Sequence, residues 1–224
     1  MDTAVRVAIG FLTLSAACGP SYRHAAATDG GEGLPRWAVT GQSEAWPREA
    51  FVTGLGRGQT QEMADDLARA EIAKVFEVEV HATTAQVETY GEASNSAGAY
   101  GWEKSADVTQ AVESETRKTL SGVEVVDRFP GRGTYASYAV LDRAKASATL
   151  HARASDLAAR ARALWDEAGA TPDPMVAARD LYQASVALAR LESVNADLRV
   201  LGVRGPVSGP VRASEAFAAF KDRV

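Results

Sequence analysis

Three glycines at alternate positions, Gly54, Gly56 and Gly58, stand between a β-prone run and a helical pattern. The run at residues 51–53, Phe-Val-Thr, is typical of a short strand. Glycine supplies the backbone freedom that a sharp reversal of the chain needs. The sequence therefore predicts a strand, a glycine turn and a helix that begins after Thr60, which can cap it.

The segment after this turn has the pattern of an amphipathic helix lying on a sheet. Its apolar residues recur at spacings of three and four, which places them on one face of a helix. Glu71 lies in the middle of that face, either as a rim carboxylate that reaches water or an arginine, or as a buried functional acid. The apolar residues are Ala64, Leu67, Ala68, Ile72 and Val75.

Apolar and polar residues alternate at residues 77–84, which predicts a second strand with one buried and one solvated face. The glycine-rich stretch at residues 91–104 follows and carries Tyr100 and Trp102. It is either a disordered loop or a contact surface for a partner. Residues 108–120 then have a loose helical spacing that predicts a helix.

Two β-prone runs, at residues 123–129 and 135–141, flank a Pro/Gly turn and predict a β-hairpin. The chain then changes to two long stretches with alanine and leucine at heptad spacing, joined near Gly169, Asp173 and Pro174. These patterns predict two antiparallel helices, the first closed by Gly169 and the second capped by Asp173. The fold class is therefore α+β: a small sheet of three to four strands with packed helices, followed by a long antiparallel helical hairpin.

Four aromatic residues have two interpretations each. Trp37 and Trp46 are either lids over the edge of the core or an exposed patch for a partner. Phe217 and Phe220 lie on a short amphipathic helix at the end of the chain, after a Gly/Pro linker. That helix either caps the helical hairpin or binds a neighbouring protein.

Composition excludes several classes of function. A net charge of −5 and an isoelectric point near 5.3 are unfavourable for binding nucleic acid, because no basic stripe is available to contact phosphates. Three scattered histidines and one cysteine form no recognisable catalytic or metal-binding motif. The sequence predicts no cofactor, no metal and no small-molecule substrate.

The single cysteine, Cys18, follows an apolar run of eleven residues, Val7 to Ala17, and three small residues precede it directly. The run is too short to span a bilayer and has the length of a signal-peptide core. Its junction with Cys18 resembles the lipobox of bacterial lipoproteins, in which the new N-terminal cysteine carries acyl chains such as palmitate. The alternative is an ordinary secretory signal that happens to contain a cysteine.

These boundaries divide the chain into five parts. Residues 1–17 are the predicted signal peptide, and 18–34 a lipidated flexible tether, rich in glycine, alanine and polar residues. An α/β domain follows at 35–142, the helical hairpin at 143–201, and a linker with a short C-terminal helix at 202–224.

The α/β domain resembles a known bacterial family. The features that carry the resemblance are Pro35 and Trp37, the segment FVTGLGRG at 51–58, the helix after it, in which alanine recurs, and the run from Tyr138 to Leu141. They are similar to the Lpp-twenty lipoprotein domain, whose relatives include the N-terminal domain of the flagellar protein FlgT. The resemblance covers residues 35–145 and implies an envelope role. Gly19, rather than aspartate, follows Cys18, which in enterobacterial-type sorting implies release to the outer membrane, facing the periplasm or the cell surface.

We therefore expect a non-enzymatic, lipid-anchored envelope protein that presents a protein-binding surface in assembly or scaffolding. The alternatives are a regulatory lipoprotein that activates a cell-wall enzyme, and an envelope enzyme. The expected partners are the membrane, through the lipid anchor, and another envelope protein. The candidate site residues are Cys18 for lipid attachment and Tyr100, Trp102, Phe217 and Phe220 for partner binding.

The lipid anchor gives a first prediction. Cys18→Ser removes the acylated residue, so the protein loses its acyl mass and leaves the membrane fraction, because a chain without lipid has no stable anchor. Intact-mass measurement and cell fractionation check both results. In the Cys18→Ser chain, Ser21→Cys restores a thiol at the wrong position and is expected to restore neither property. A Cys18→Ser chain that stays acylated and membrane-bound would contradict the lipobox interpretation.

Overall fold

The computed structural model describes residues 34–92, 122–131 and 133–223, and within 77–92 it describes the backbone alone. These residues form a three-stranded antiparallel sheet and five helices, which confirms the predicted α+β class. No helix among them is both long and apolar enough to span a bilayer. In chain order the elements are α1 (Arg36–Thr40), β1 (Phe51–Gly58), α2 (Gln61–Glu92), β2 (Glu124–Pro130), β3 (Tyr135–Asp142), α3 (Arg143–Ala170), α4 (Pro174–Val200) and α5 (Ala213–Lys221).

The sheet has the order β1-β3-β2, with β3 in the centre and antiparallel to both neighbours. The predicted hairpin is present as β2 and β3. The amide of Gly131 donates to the carbonyl oxygen of Thr134 at 3.0 Å in its turn, and Gly133 has a φ of 81°, which favours glycine. β1 pairs with β3 across a long stretch of chain, so Leu55 lies opposite Tyr138.

The predicted glycine turn is wrong, because Gly54, Gly56 and Gly58 lie within β1. All three are buried on the face that α2 covers. A Cβ atom on any of them would come closer than 3.0 Å to an atom of Ala64 or Ala68. The glycines therefore give the strand one face of bare backbone, on which the backbone of α2 packs directly.

The predicted strand at residues 77–84 is also wrong, because α2 continues through them to Glu92. The sequence contains no proline from Gln61 to Glu92 and its first glycine is Gly91, so no strong breaker ends the helix earlier. At 32 residues α2 is about 48 Å long, whereas the eight residues of β1 span about 27 Å. The predicted helix at 108–120, and the glycine-rich stretch beyond residue 92, lie outside the described residues.

The helical hairpin is confirmed as α3 and α4. Asp142 caps α3 by accepting a hydrogen bond from the amide of Lys145 at 2.9 Å, and Asp173 caps α4 through the amide of Met175 at 2.9 Å. Gly169 does not close α3, which ends one residue later. The predicted seam of α4 is buried along its whole length, at Ala177, Leu181, Ala184, Leu188, Leu191, Asn195 and Leu198.

The helical hairpin packs against β1 and α2. The largest apolar cluster joins Val52 of β1 and Ile72 and Phe76 of α2 to Leu188 and Leu191 of α4. α4 is enclosed by α3, α2 and α5, and most of its residues from Ala184 to Leu198 are buried as a result. One core therefore holds both the sheet and the hairpin.

The packing of α2 on β1 gives a second prediction. Gly56→Ala places a methyl group against the backbone of α2 and is expected to lower the free energy of unfolding by about 1–3 kcal/mol. Gly169→Ala is the matched control, because nothing lies within 4 Å of its Cβ position in α3. That change is expected to raise stability by about 0.5–1 kcal/mol. Chemical denaturation measures both, and an unchanged Gly56→Ala protein would instead support a solvated glycine turn.

Candidate functional site

The predicted site residues fall into two groups. Cys18, Tyr100 and Trp102 lie outside the described residues, so their roles stay predictions. Phe217 and Phe220 are only 7% and 5% exposed, because α5 packs against the helical hairpin. The prediction that these two phenylalanines contact a partner is therefore wrong, since their rings are already covered within the chain.

Side chains of α4 hold α5 and the linker before it in place. The side-chain amide of Asn195 pairs with the backbone of Val207 through two hydrogen bonds of 3.0 Å. The Glu192 carboxylate accepts from the amide of Ala213 at 3.1 Å, at the start of α5. Burial raises the pKa of Glu192, against the opposing effect of this amide. The ring of Phe220 packs on Tyr182 with centroids 5.5 Å apart.

The two tryptophans are lids over the sheet face opposite α2. Trp37 lies against Tyr138 with ring centroids 5.7 Å apart, and Trp46 meets Phe51 edge to face at 5.0 Å. The guanidinium of Arg57 donates to the carbonyl oxygen of Ala38, which fixes α1 to the same face. This face is therefore closed by the N-terminal part of the domain.

Asp65 lies at the centre of a polar cluster that joins α2 to the sheet. Its carboxylate accepts two hydrogen bonds from the guanidinium of Arg128 in β2, at 2.9 and 3.1 Å. It also accepts from the hydroxyl of Ser137 in β3 at 2.5 Å and from the amide of Gln61 at 2.8 Å. The hydrogen bonds from Arg128 are the main reason that the pKa of Asp65 is lowered to about 2.

This cluster is not evident from the sequence, in which adjacent Asp65 and Asp66 have the pattern of charges on a solvated helix face. Asp66 does have that role and pairs with Arg69 in solvent. A carboxylate with a low pKa and four donors is a poor general base, so the cluster is suited to holding α2 in place. Among the described residues no group of histidine, cysteine and carboxylate side chains could hold a metal ion.

Three of the five large apolar side chains that are exposed among the described residues lie in one row on α2. We call this row the outer row: Met63, Leu67, Glu71 and Val75. Its three apolar members are 47%, 43% and 46% exposed. Glu71 is exposed and pairs with the ammonium of Lys74, as expected of a rim carboxylate rather than a buried acid.

The prediction that Leu67 and Val75 are buried is wrong. The buried face of α2 is the narrower line of Ala64, Ala68, Ile72 and Phe76. Direct backbone contact with the glycines of β1 leaves room beneath the helix for that line alone. The neighbouring residues are displaced to the flank, where they remain in water.

The outer row lies above the open side of the sheet. A Cβ atom at Gly58 would meet Met63 at 2.8 Å, and one at Gly54 would meet Glu71 at 3.2 Å, so the row stands next to β1. Asp65, on the other flank of α2, reaches β2 and β3. Because β1 is an edge strand, the outer row lies along that edge of the sheet. Exposed apolar residues beside a strand edge are typical of a docking surface.

Comparisons with protein families, with curated proteins and with solved structures find no match to this chain. The resemblance to the Lpp-twenty domain therefore rests on the motifs of the sequence.

The polar cluster gives a third prediction. Since the pKa of Asp65 is depressed in the folded state, its contribution to stability is present above the usual aspartate pKa of about 3.9 and is lost as the pH falls towards 2. Asp65→Asn is expected to lower the free energy of unfolding at pH 7 by about 1–2 kcal/mol, because it removes the ion pair with Arg128. The loss is limited to this size because water screens the exposed guanidinium.

Denaturation at several pH values measures this difference, which should vanish between pH 4 and pH 2. Asp66→Asn is the matched control, because Asp66 pairs with Arg69 in solvent, and its effect should stay within about 0.5 kcal/mol. Equal losses in the two variants would contradict a structural role for the cluster.

Proposed function

We propose that this protein is a non-enzymatic, lipid-anchored component of the bacterial envelope that binds another protein through the outer row of α2. The observation that carries the proposal is the exposure of Met63, Leu67 and Val75 at helical spacing. A row of large apolar side chains left in water is typical of an interaction site.

The outer row is held on a rigid support. The backbone of α2 lies on the glycines of β1, and Asp65 ties the same turn of the helix to Arg128 and Ser137. A partner therefore meets a surface that is already arranged, so little conformational entropy is lost on binding.

The apolar contribution to binding is modest. Complete burial of a side chain of this size stabilises by about 1.5–3 kcal/mol. Covering the exposed half of Met63, Leu67 and Val75 therefore contributes about 1 kcal/mol each. A stable complex needs further contacts beside the row, or a high local concentration of the partner.

The predicted lipid anchor supplies a high local concentration of the partner. Acylated Cys18 confines the protein to a membrane, and a tether of about sixteen residues spans about 20–24 Å. Confinement beside the partner raises the effective concentration, so that a weak surface is sufficient. This arrangement fits assembly or scaffolding at the outer membrane, in agreement with the resemblance to the Lpp-twenty domain.

Crosslinking in cells tests the proposal. A photo-reactive amino acid in place of Leu67 is expected to give a discrete adduct with one envelope protein, and the adduct should be lost when Cys18→Ser is also present. The same group in place of Met175, which is 71% exposed at the start of α4, controls for exposure alone and should not give that adduct. The proposal is wrong if Leu67 gives no adduct, or the same adducts as Met175.

A further inference from the structure

We infer that the outer edge of β1 is a strand-addition site, which takes an extended, uncharged peptide segment of the partner as a fourth strand of the sheet. This inference rests on the proposed function and names the kind of segment that the surface binds. It begins from the direction of the backbone groups in β1.

Two hydrogen bonds fix that direction. The amide of Arg143 donates to the carbonyl oxygen of Ala50 at 2.9 Å, and the amide of Phe51 turns away from β3 to donate to Pro47 at 2.9 Å. Bonded and non-bonded positions alternate along an antiparallel pair. The residues Val52, Gly54, Gly56 and Gly58 therefore bond to β3, and the backbone N–H and C=O groups of Thr53, Leu55 and Arg57 point outward.

These outward groups form an open edge. Within the part of the chain that the structure describes, no hydrogen bond joins the backbone of Thr53, Leu55 or Arg57 to another residue, and the elements that pack extensively on β1 are α2, on one face, and β3, on the opposite edge. A regular row of alternating donors and acceptors is matched by another extended backbone. The spacing of the groups thus specifies the conformation of the ligand.

The two edges of the sheet differ in how well they are protected against pairing with another strand. β2, at the opposite edge, contains a bulge between Val125 and Asp127 and ends in Pro130, which are devices that prevent strand pairing. β1 has no proline, no lysine and no bulge along its pairing with β3. The single charge along it, Arg57, is engaged by Ala38. The edge next to the outer row is therefore the one that remains competent to pair.

A second copy of the chain does not fit this edge. Symmetric pairing of two β1 strands would place them about 4.8 Å apart. Each α2 packs on the glycines of its own β1 and carries its outer row over the edge of that strand. The outer rows of the two copies would therefore compete for the same space above the paired strands, since packed helices need 8–10 Å between their axes. The occupant is therefore a strand that carries no helix on this face, as an isolated peptide segment does.

Charge and shape define the side chains of that segment. On the α2 side it meets Met63, Leu67 and Val75, and the one charge in the row, Glu71, is already neutralised by Lys74. An uncharged apolar residue at every second position thus matches this side without leaving a charge unpaired. The five residues from Thr53 to Arg57 span about 17 Å, so a segment of five to seven residues covers the edge.

A designed peptide tests the inference on the full chain with Cys18→Ser, which is free of lipid. The probe alternates threonine and valine over seven residues and has a lysine at each end. Hydrogen exchange should show new protection of the amides of Thr53, Leu55 and Arg57 when the peptide is added. The matched control is the same peptide with N-methyl groups on the amides that face β1, which should bind at least tenfold more weakly. Leu67→Asp should weaken binding of the unmodified peptide at least tenfold.

Each other outcome overturns the inference. Equal binding of the N-methylated peptide would show docking through side chains alone, which leaves the proposed function intact but removes strand addition. Protection of the three amides before any peptide is added would show that another part of this chain, such as residues 93–121, already covers the edge. Failure of the peptide to bind, or protection on another surface, would also contradict a strand site at β1, whereas the crosslink from Leu67 tests the proposed function independently.

Discussion

The contact between the bare backbone of β1 and the backbone of α2 determines most of the other features of the domain. Because three glycines present no side chains to the helix, α2 approaches so closely that only a narrow line of its residues fits beneath it. The same approach positions Asp65 within reach of Arg128 and Ser137 and displaces Leu67 and Val75 to the surface. The proposed docking surface therefore arises from the way in which α2 packs on the strand.

Periodicity in the sequence was sufficient to predict the elements whose neighbours are close in the chain. The heptad spacing of α3 and α4, and the paired β-rich runs of β2 and β3, are confirmed because each pattern has a single regular structure that satisfies it. The glycines of β1 were misassigned, because alternate glycines fit both a turn and a strand against which another backbone packs. The alternation of apolar and polar residues at 77–84 similarly fits a strand, although the backbone there is helical.

The polar cluster at Asp65 and the docking of α5 could not be predicted from local patterns, because both depend on pairs of residues that are distant in the chain. Arg128 lies 63 positions from Asp65, and Ala213 lies 21 positions from Glu192. Whether Phe217 contacts this chain or another one is likewise decided by the groove between α3 and α4, which appears only after the hairpin has formed. The sequence predicts that such residues are amphipathic or charged, whereas tertiary packing decides which of them stay exposed.

Among the residues that the structure describes, half of the buried apolar side chains are alanines, and most of these alanines lie in α2, α3 and α4. Replacing large side chains by alanine, the usual way of searching for important residues, leaves these positions unexamined because they already are alanine. A substitution by serine or valine would probe them, since the tolerance of such a core is limited by added volume. The natural variation of this protein is therefore expected to be constrained most strongly at its smallest residues.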